Sequence, residues 1–219
     1  MASVSKAGWL HPVAKPLLFA LCLLPLIWLI YAATTNQLGA NPAETLIRST
    51  GDWTLRFLCL VLAITPLRVL TKTPALARFR RMVGLFVYFY GVLHMLSYGW
   101  LVMGLDVPDI VNDIVKRPFI LVGFISMVVL TALAATSFNR AIKVLGGKRW
   151  QLLHRMVYAV ALLALLHFFW MRSGKNDFEE VLVYALILGA LLTWRLFRFF
   201  STKKASSLKF FSQKPVFPQ

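Results

Sequence analysis

MVGLFVYFYGVLHMLSYGWLVMGL, residues 82–105, contains no Asp, Glu, Lys or Arg, and its most polar group is the imidazole of His94. At about 1.5 Å per residue a helix of this length covers roughly 36 Å. That is enough to cross a hydrocarbon core of about 30 Å. An imidazole at that depth is costly unless it has a partner, and a polar side chain in hydrocarbon usually marks a substrate path, a proton relay or a ligand set. One stretch thus indicates both a membrane helix and a candidate functional residue.

Working outward, spans of roughly 20 apolar residues recur at 16–34, 53–71, 118–136, 150–171 and 180–200, which with 82–105 makes six. The 219 residues are 59% hydrophobic and 15% charged, with a mean hydropathy of +0.71. This is too apolar for a water-soluble domain and suits an all-α, six-transmembrane-helix bundle. The expected organisation is a cytoplasmic segment over 1–15, the transmembrane domain over 16–200 and a basic cytoplasmic tail over 201–219. Lys6 and Lys15 before the first span and Ala32 and Ala33 near its end resemble a signal peptide. The apolar run is long for an exported h-region, and the first span is read as a retained helix.

Charge orients the bundle. Lys6 and Lys15, the 2–3 loop (Arg68, Lys72, Arg78, Arg80, Arg81), the 4–5 loop (Arg140, Lys143, Lys148, Arg149) and the C-terminal region (Arg195, Arg198, Lys203, Lys204, Lys209, Lys214) carry 17 of the 24 basic residues. All eight acidic residues, Glu44, Asp52, Asp106, Asp109, Asp113, Asp177, Glu179 and Glu180, belong to the other three loops. By the positive-inside rule both termini are cytoplasmic. A net charge of +16 is then explained by topology and anionic membrane lipid rather than by nucleic acid. The acidic loops are either a docking face for an external partner or simply solvated.

In this topology the third and fifth spans both run outward, so His94 and His167 reach similar depth in the outer half. His154 lies near the cytoplasmic end, about 20 Å from His167 along the axis. Two imidazoles at matched depth on parallel helices suit the axial positions of one b-type haem held edge-on. The competing reading, a histidine bonding a carbonyl across a helix interface, stays open for each of the three. His11, before Pro12, reads as a surface residue.

Other chemistries lack their residues. No carboxylate falls in the core of a span, which disfavours a pump or transporter. No strand-flanked GxGxxG occurs, and GGK at 146–148 lacks the rest of a P-loop. An electron carrier of this kind must therefore draw on membrane quinol or a separate flavoprotein. Cys22 and Cys59, both in apolar runs, read as structural.

The blocks RRMVGLFVYFYGVLH (80–94), KRPFILVG (116–123), LAATS (133–137), WQLLHRMVY (150–158) and HFFW (167–170) resemble the MsrQ (YedZ) family of haem-binding membrane subunits over nearly the whole chain. That family belongs to the ferric reductase-like transmembrane group, with NADPH oxidases and metalloreductases. The resemblance implies a multi-pass protein of the bacterial inner membrane that passes electrons outward to MsrP, a periplasmic molybdopterin enzyme that reduces methionine sulfoxide in damaged proteins. It also implies haem b, one or two per chain, with FMN as a further cofactor. Carried over by position, His94, His154 and His167 match the family's haem histidines. NADPH oxidases carry a second histidine fourteen residues before the one at 94; Arg80 stands there in this chain, so the inner haem site lacks its third-helix ligand.

Arg56 near the outer haem, and Arg149 and Arg155 near His154, are candidate partners for propionates or a flavin phosphate, or they snorkel to the interface. Trp53, Trp100, Trp150, Trp170 and Trp194 read as an aromatic belt. The sequence thus points to a haem b electron carrier, receiving electrons from quinol or a cytosolic flavin reductase and delivering them to an external acceptor. The alternatives are a ferric or cupric metalloreductase and a haem-sensing or structural membrane partner.

Overall fold

A computed structural model describes the backbone of residues 12–174 and 176–212, and side chains as far as Ser201; His11 lies outside the described residues. Among the described residues nine α-helices follow in order: α1 Ala14–Thr34, α2 Pro42–Leu70, α3 Arg80–Ser97, α4 Val107–Lys116, α5 Pro118–Ala135, α6 Asn139–Leu145, α7 Gly147–His154, α8 Val157–Ser173 and α9 Glu179–Ser212. A 3₁₀ turn, Pro74–Phe79, precedes α3, and a π-helical turn, Tyr98–Val102, extends it. Among the described residues six segments are long and apolar enough to cross a membrane: Ala14–Thr34, Pro42–Leu70, Pro74–Val102, Pro118–Ala135, Gly147–Ser173 and Glu179–Ser201. The expected six-helix architecture is present, and among the described residues there is no strand.

Two antiparallel hairpins form the centre. α2 packs along α3, α5 packs along α8, and α3 meets α5 between them, while α9 lies against α8 and α2. The buried core is shared by these helices and includes Leu58, Leu62, Val87, Tyr90, Val160 and Leu188. Leu17, Leu21, Leu24 and Trp28 of α1, and Leu182 and Leu186 of α9, are exposed, as expected for surfaces facing lipid rather than water.

Prolines inside two spans explain two long-range bonds. Pro25 interrupts α1, and the Tyr90 hydroxyl enters the opened turn, donating to the Cys22 carbonyl at 2.9 Å and accepting from Leu26 N–H at 3.1 Å. In α2, Pro66 has no N–H to offer the Leu62 carbonyl one turn earlier; Arg195 Nη2 of α9 donates to that oxygen instead, at 2.6 Å. Backbone groups freed in hydrocarbon must find such replacements. Each repair also fastens one helix to another.

Several span limits differ from the sequence-based ones. The second span begins at Pro42 rather than 53, because Asn41 accepts from Glu44 N–H, with Pro42 at the first helical position. Asp52, assigned to a loop from the sequence, consequently lies inside α2, ahead of its most apolar stretch. The fifth span is interrupted at Arg155–Met156, where Met156 N–H bonds Leu153 and Tyr158 N–H bonds Arg155, a tightened i to i+3 pattern. His154 therefore ends α7 and does not share a continuous helix with His167. At the C-terminal end, helix continues past residue 201 to Ser212.

Candidate functional site

His94 sits near the C-terminal end of α3 and His167 near that of α8. Their hairpin partners run the opposite way, so each histidine faces the first turns of the preceding long helix. His94 Nδ1 lies 2.9 Å from the Ile47 carbonyl of α2, and His167 Nδ1 lies 2.6 Å from the Phe119 carbonyl of α5. A carbonyl can only accept, so each Nδ1 must donate and each Nε2 carries the lone pair. Among the described residues no hydrogen bond engages either Nε2. The carbonyl bond and metal ligation are thus compatible: a backbone carbonyl on one ring nitrogen is the usual device for orienting the other toward a metal.

The same device occurs in both hairpins. Four residues after each carbonyl stands a glycine, Gly51 and Gly123, and each ring packs into the space where a side chain would be. A Cβ on Gly51 would lie 3.1 Å from His94 Cε1 and Nδ1, and one on Gly123 would lie 2.9 Å from the same atoms of His167. Glycine within a helix costs about 0.5–1 kcal/mol relative to alanine. Close approach of the imidazoles is the physical reason for accepting that cost here.

Between the hairpins the two rings come together edge-on, with centroids 6.1 Å apart and planes 81° apart. Imidazoles on opposite sides of one metal, with metal–nitrogen bonds of about 2 Å and ring centres about 1 Å beyond, have centroids roughly 6 Å apart. Among the described residues, no group of three or more His, Cys, Asp or Glu converges to hold a bare metal ion. A pair of imidazoles suits a haem, which brings the rest of its iron's ligands with it; His94 and His167 are the residues that would hold it.

The structure does not bring His154 to this pair. His154 Nε2 lies 3.1 Å from the Thr136 hydroxyl, which also lies 2.8 Å from the Ala132 carbonyl and 3.2 Å from that of Leu133. The Trp150 ring stacks on His154 at 4.0 Å, and its indole N–H donates to the Thr136 carbonyl at 2.9 Å. This ring borders a cavity of about 280 Å³ at the basic end of the bundle, together with Leu58, Leu62, Arg80, Arg81 and Arg195. Arg149 and Arg155, the sequence candidates for this end, are not part of that lining; the cations there come from α3 and α9. At the acidic end Arg56 is exposed, donates to the Tyr184 hydroxyl at 3.2 Å and lies over Trp53. Trp53 and Trp150 pack against specific partners, whereas Trp100 is exposed as a belt residue would be.

Residues 50–165 match the family described as ferric reductase like transmembrane component. A protein-methionine-sulfoxide reductase heme-binding subunit MsrQ of Polaromonas naphthalenivorans is 69% identical over 192 residues, 87% of this chain and 88% of the relative. The chain belongs to the MsrQ family. Further MsrQ subunits, from Herminiimonas arsenicoxydans and Brucella anthropi, are 51% and 43% identical, covering 84% and 83% of this chain and 84% and 81% of their own lengths. No solved structure matches the chain.

The residues of this chain that the sequence did not disclose are the supports: Ile47, Gly51, Phe119, Gly123 and Thr136. A signal for two of them was present. Gly51 and Gly123 are glycines in or beside apolar helices, and the paired carbonyls precede their histidines by 47 and 48 residues. Such a near-equal spacing is what two copies of one hairpin would leave in the sequence.

Proposed function

We propose that this multi-pass membrane protein binds haem b between His94 and His167 and serves as the electron-transfer subunit of a methionine sulfoxide reductase. In this reading it sits in the bacterial inner membrane with both termini cytoplasmic. It takes electrons from the quinone pool or a cytosolic flavin reductase and delivers them to the periplasmic molybdopterin enzyme MsrP for repair of oxidised periplasmic proteins. The observation that carries the proposal is the imidazole pair, each tied through Nδ1 to a carbonyl and each with a free Nε2. The printed names of the relatives, heme-binding subunits of protein-methionine-sulfoxide reductase, support the same reading.

When bound, the haem supplies a one-electron iron couple. The chain's own residues hold and shield it. Ile47 and Phe119 carbonyls fix the imidazole tautomers, and the glycine notches set how far the rings retreat into their hairpins. Apolar surfaces of α3 and α8 exclude water. His154, Arg80, Arg81 and Arg195 form the second candidate site, at the basic end. The cavity they border supports a second cofactor there, an inner haem or FMN, whose acidic groups the arginines would hold. Ligation through His154 Nε2 requires release from Thr136, so occupancy at this end is expected to be weaker.

The test is a reduced-minus-oxidised spectrum with a haem-to-protein ratio on the purified chain, followed by reduction with quinol or with a flavin reductase. The expected result is a low-spin b haem, reoxidised when MsrP and methionine sulfoxide are added. A chain without bound haem, or a reduced haem unaffected by the reductase, would overturn the proposal.

A further inference from the structure

The two histidine hairpins are tied together at the acidic end through one carboxylate. Tyr98, one turn beyond His94, donates its hydroxyl to Asp113 Oδ2 at 2.6 Å. Arg117 Nε donates to Asp113 Oδ1 at 2.8 Å, and the Arg117 backbone N–H bonds the Asp113 carbonyl at 3.0 Å. The Asp113 side chain is only 12% exposed, unlike that of Arg117 at 60%, so the carboxylate is the enclosed centre of the group. Arg117 leads directly into Pro118 and Phe119, and the Phe119 carbonyl holds His167. A connected path therefore runs from His94 through Tyr98, Asp113 and Arg117 to the support of His167.

Local structure around this path is specialised. Tyr98 begins the π-helical turn, with Met103 N–H bonding its carbonyl five residues back, and Leu105 N–H returns to the Gly99 carbonyl at 2.8 Å. π turns frequently accompany functional sites because the extra residue redirects a side chain. Gly99 faces Ile110 of α4, with 3.8 Å between a Cβ built there and Ile110 Cδ1. The short helix α4 thus seats on the end of α3 while presenting Asp113 to both Tyr98 and Arg117. Salt bridges at a surface contribute little by themselves; an enclosed carboxylate receiving donors from two helical segments fixes geometry.

We propose that Asp113 is a positioning residue for the axial histidines: it holds the end of α3 against the start of α5 and so sets the angle between the His94 and His167 rings. The inference rests on the reading of those histidines as haem ligands. If these two residues held a haem with their ring planes still 81° apart, the two π-type d orbitals of a low-spin ferric iron would be nearly degenerate, which would give a strongly anisotropic electron paramagnetic resonance signal. Loosening the tie allows the Phe119 carbonyl and the His167 ring to shift. Twisting the planes toward parallel lifts the degeneracy and narrows the spread of g values.

The experiment uses the full chain with haem, oxidised, as wild type, Asp113→Asn and Tyr98→Phe. Expected is a strongly anisotropic low-spin signal in the wild type, with haem content retained within about twofold in both variants. The signal should move toward smaller anisotropy in both, further in Asp113→Asn, which affects both arms, than in Tyr98→Phe, which loses one. A midpoint potential moved in the same order would support the assignment. If Asp113→Asn loses its haem, Tyr98→Phe decides alone: a narrowed signal supports the inference and an unchanged one overturns it. A wild-type signal left unmoved in both variants overturns the positioning role while leaving the haem assignment intact. A wild type without any low-spin haem signal overturns both.

Discussion

His94 and His167 at the acidic end, and His154 at the basic end, are alike in the sequence and unlike in the structure. Each of the first two donates through Nδ1 to a helix carbonyl, rests on a glycine and meets the other edge-on at 6.1 Å. His154 instead engages Thr136 through Nε2, lies beneath Trp150 and has arginines around the adjoining cavity. The difference lies in which ring nitrogen each imidazole commits to a hydrogen bond and which it leaves for a ligand. Depth in the membrane alone does not decide this.

The largest expected effect separates the two ends directly. His94→Ala or His167→Ala should lower low-spin haem at least about tenfold, because one axial position is lost, measured as haem per protein and by the reduced spectrum. His154→Ala should lower total cofactor content and slow reduction by an added flavin reductase, yet leave the low-spin signal in place. Loss of that signal in His154→Ala would erase the distinction between the ends.

Next in size are the notches. Gly123→Ala sets a methyl 2.9 Å from His167 and Gly51→Ala one at 3.1 Å from His94. Overpacking of this kind costs about 1–3 kcal/mol, so haem retention during purification should fall several-fold, more for Gly123→Ala. Equal retention in both variants and wild type would show that the rings can withdraw and that the glycines are incidental.

Thr136→Val tests the other side of the comparison. It removes the hydroxyl that engages His154 Nε2 while keeping the branched shape, so binding at the basic end should strengthen by a few-fold in a haem or FMN titration. A reduction in binding would mean that Thr136 orients His154 for its ligand instead of competing with it.

The smallest effect at either site is expected from Tyr90→Phe. The hydroxyl bridging the opened turn at Pro25 is lost, leaving one acceptor and one donor unsatisfied at a cost of about 1–3 kcal/mol. Thermal stability in detergent should drop while the haem spectrum stays the same. A spectral change would indicate that α1 contributes to the haem site through Tyr90.

The number and kind of helices were legible because apolar length is a local property of the chain, and all six spans were found. Pairing of His94 with His167 was also legible, since charge asymmetry implies a topology and topology implies depth. The break before α8 was not. Residues 154–157 carry no proline or glycine, and the turn is seen only in its i to i+3 bonds. The placement of Asp52 in a loop failed for a similar reason: hydropathy reports where the apolar run begins, whereas Asn41 and Pro42 determine where the helix begins.

The sequence by itself determined a six-helix membrane bundle, the segregation of acidic from basic loops and the three histidines that could bind a cofactor. Tertiary structure decided which nitrogen each histidine has free, which glycine admits which ring and which orphaned carbonyl takes Arg195. The physical reason is reach. Hydropathy and charge act on each segment by its own composition, but a tautomer, a notch and a bridged proline turn each require atoms from two helices dozens of residues apart. Only packing brings those atoms together.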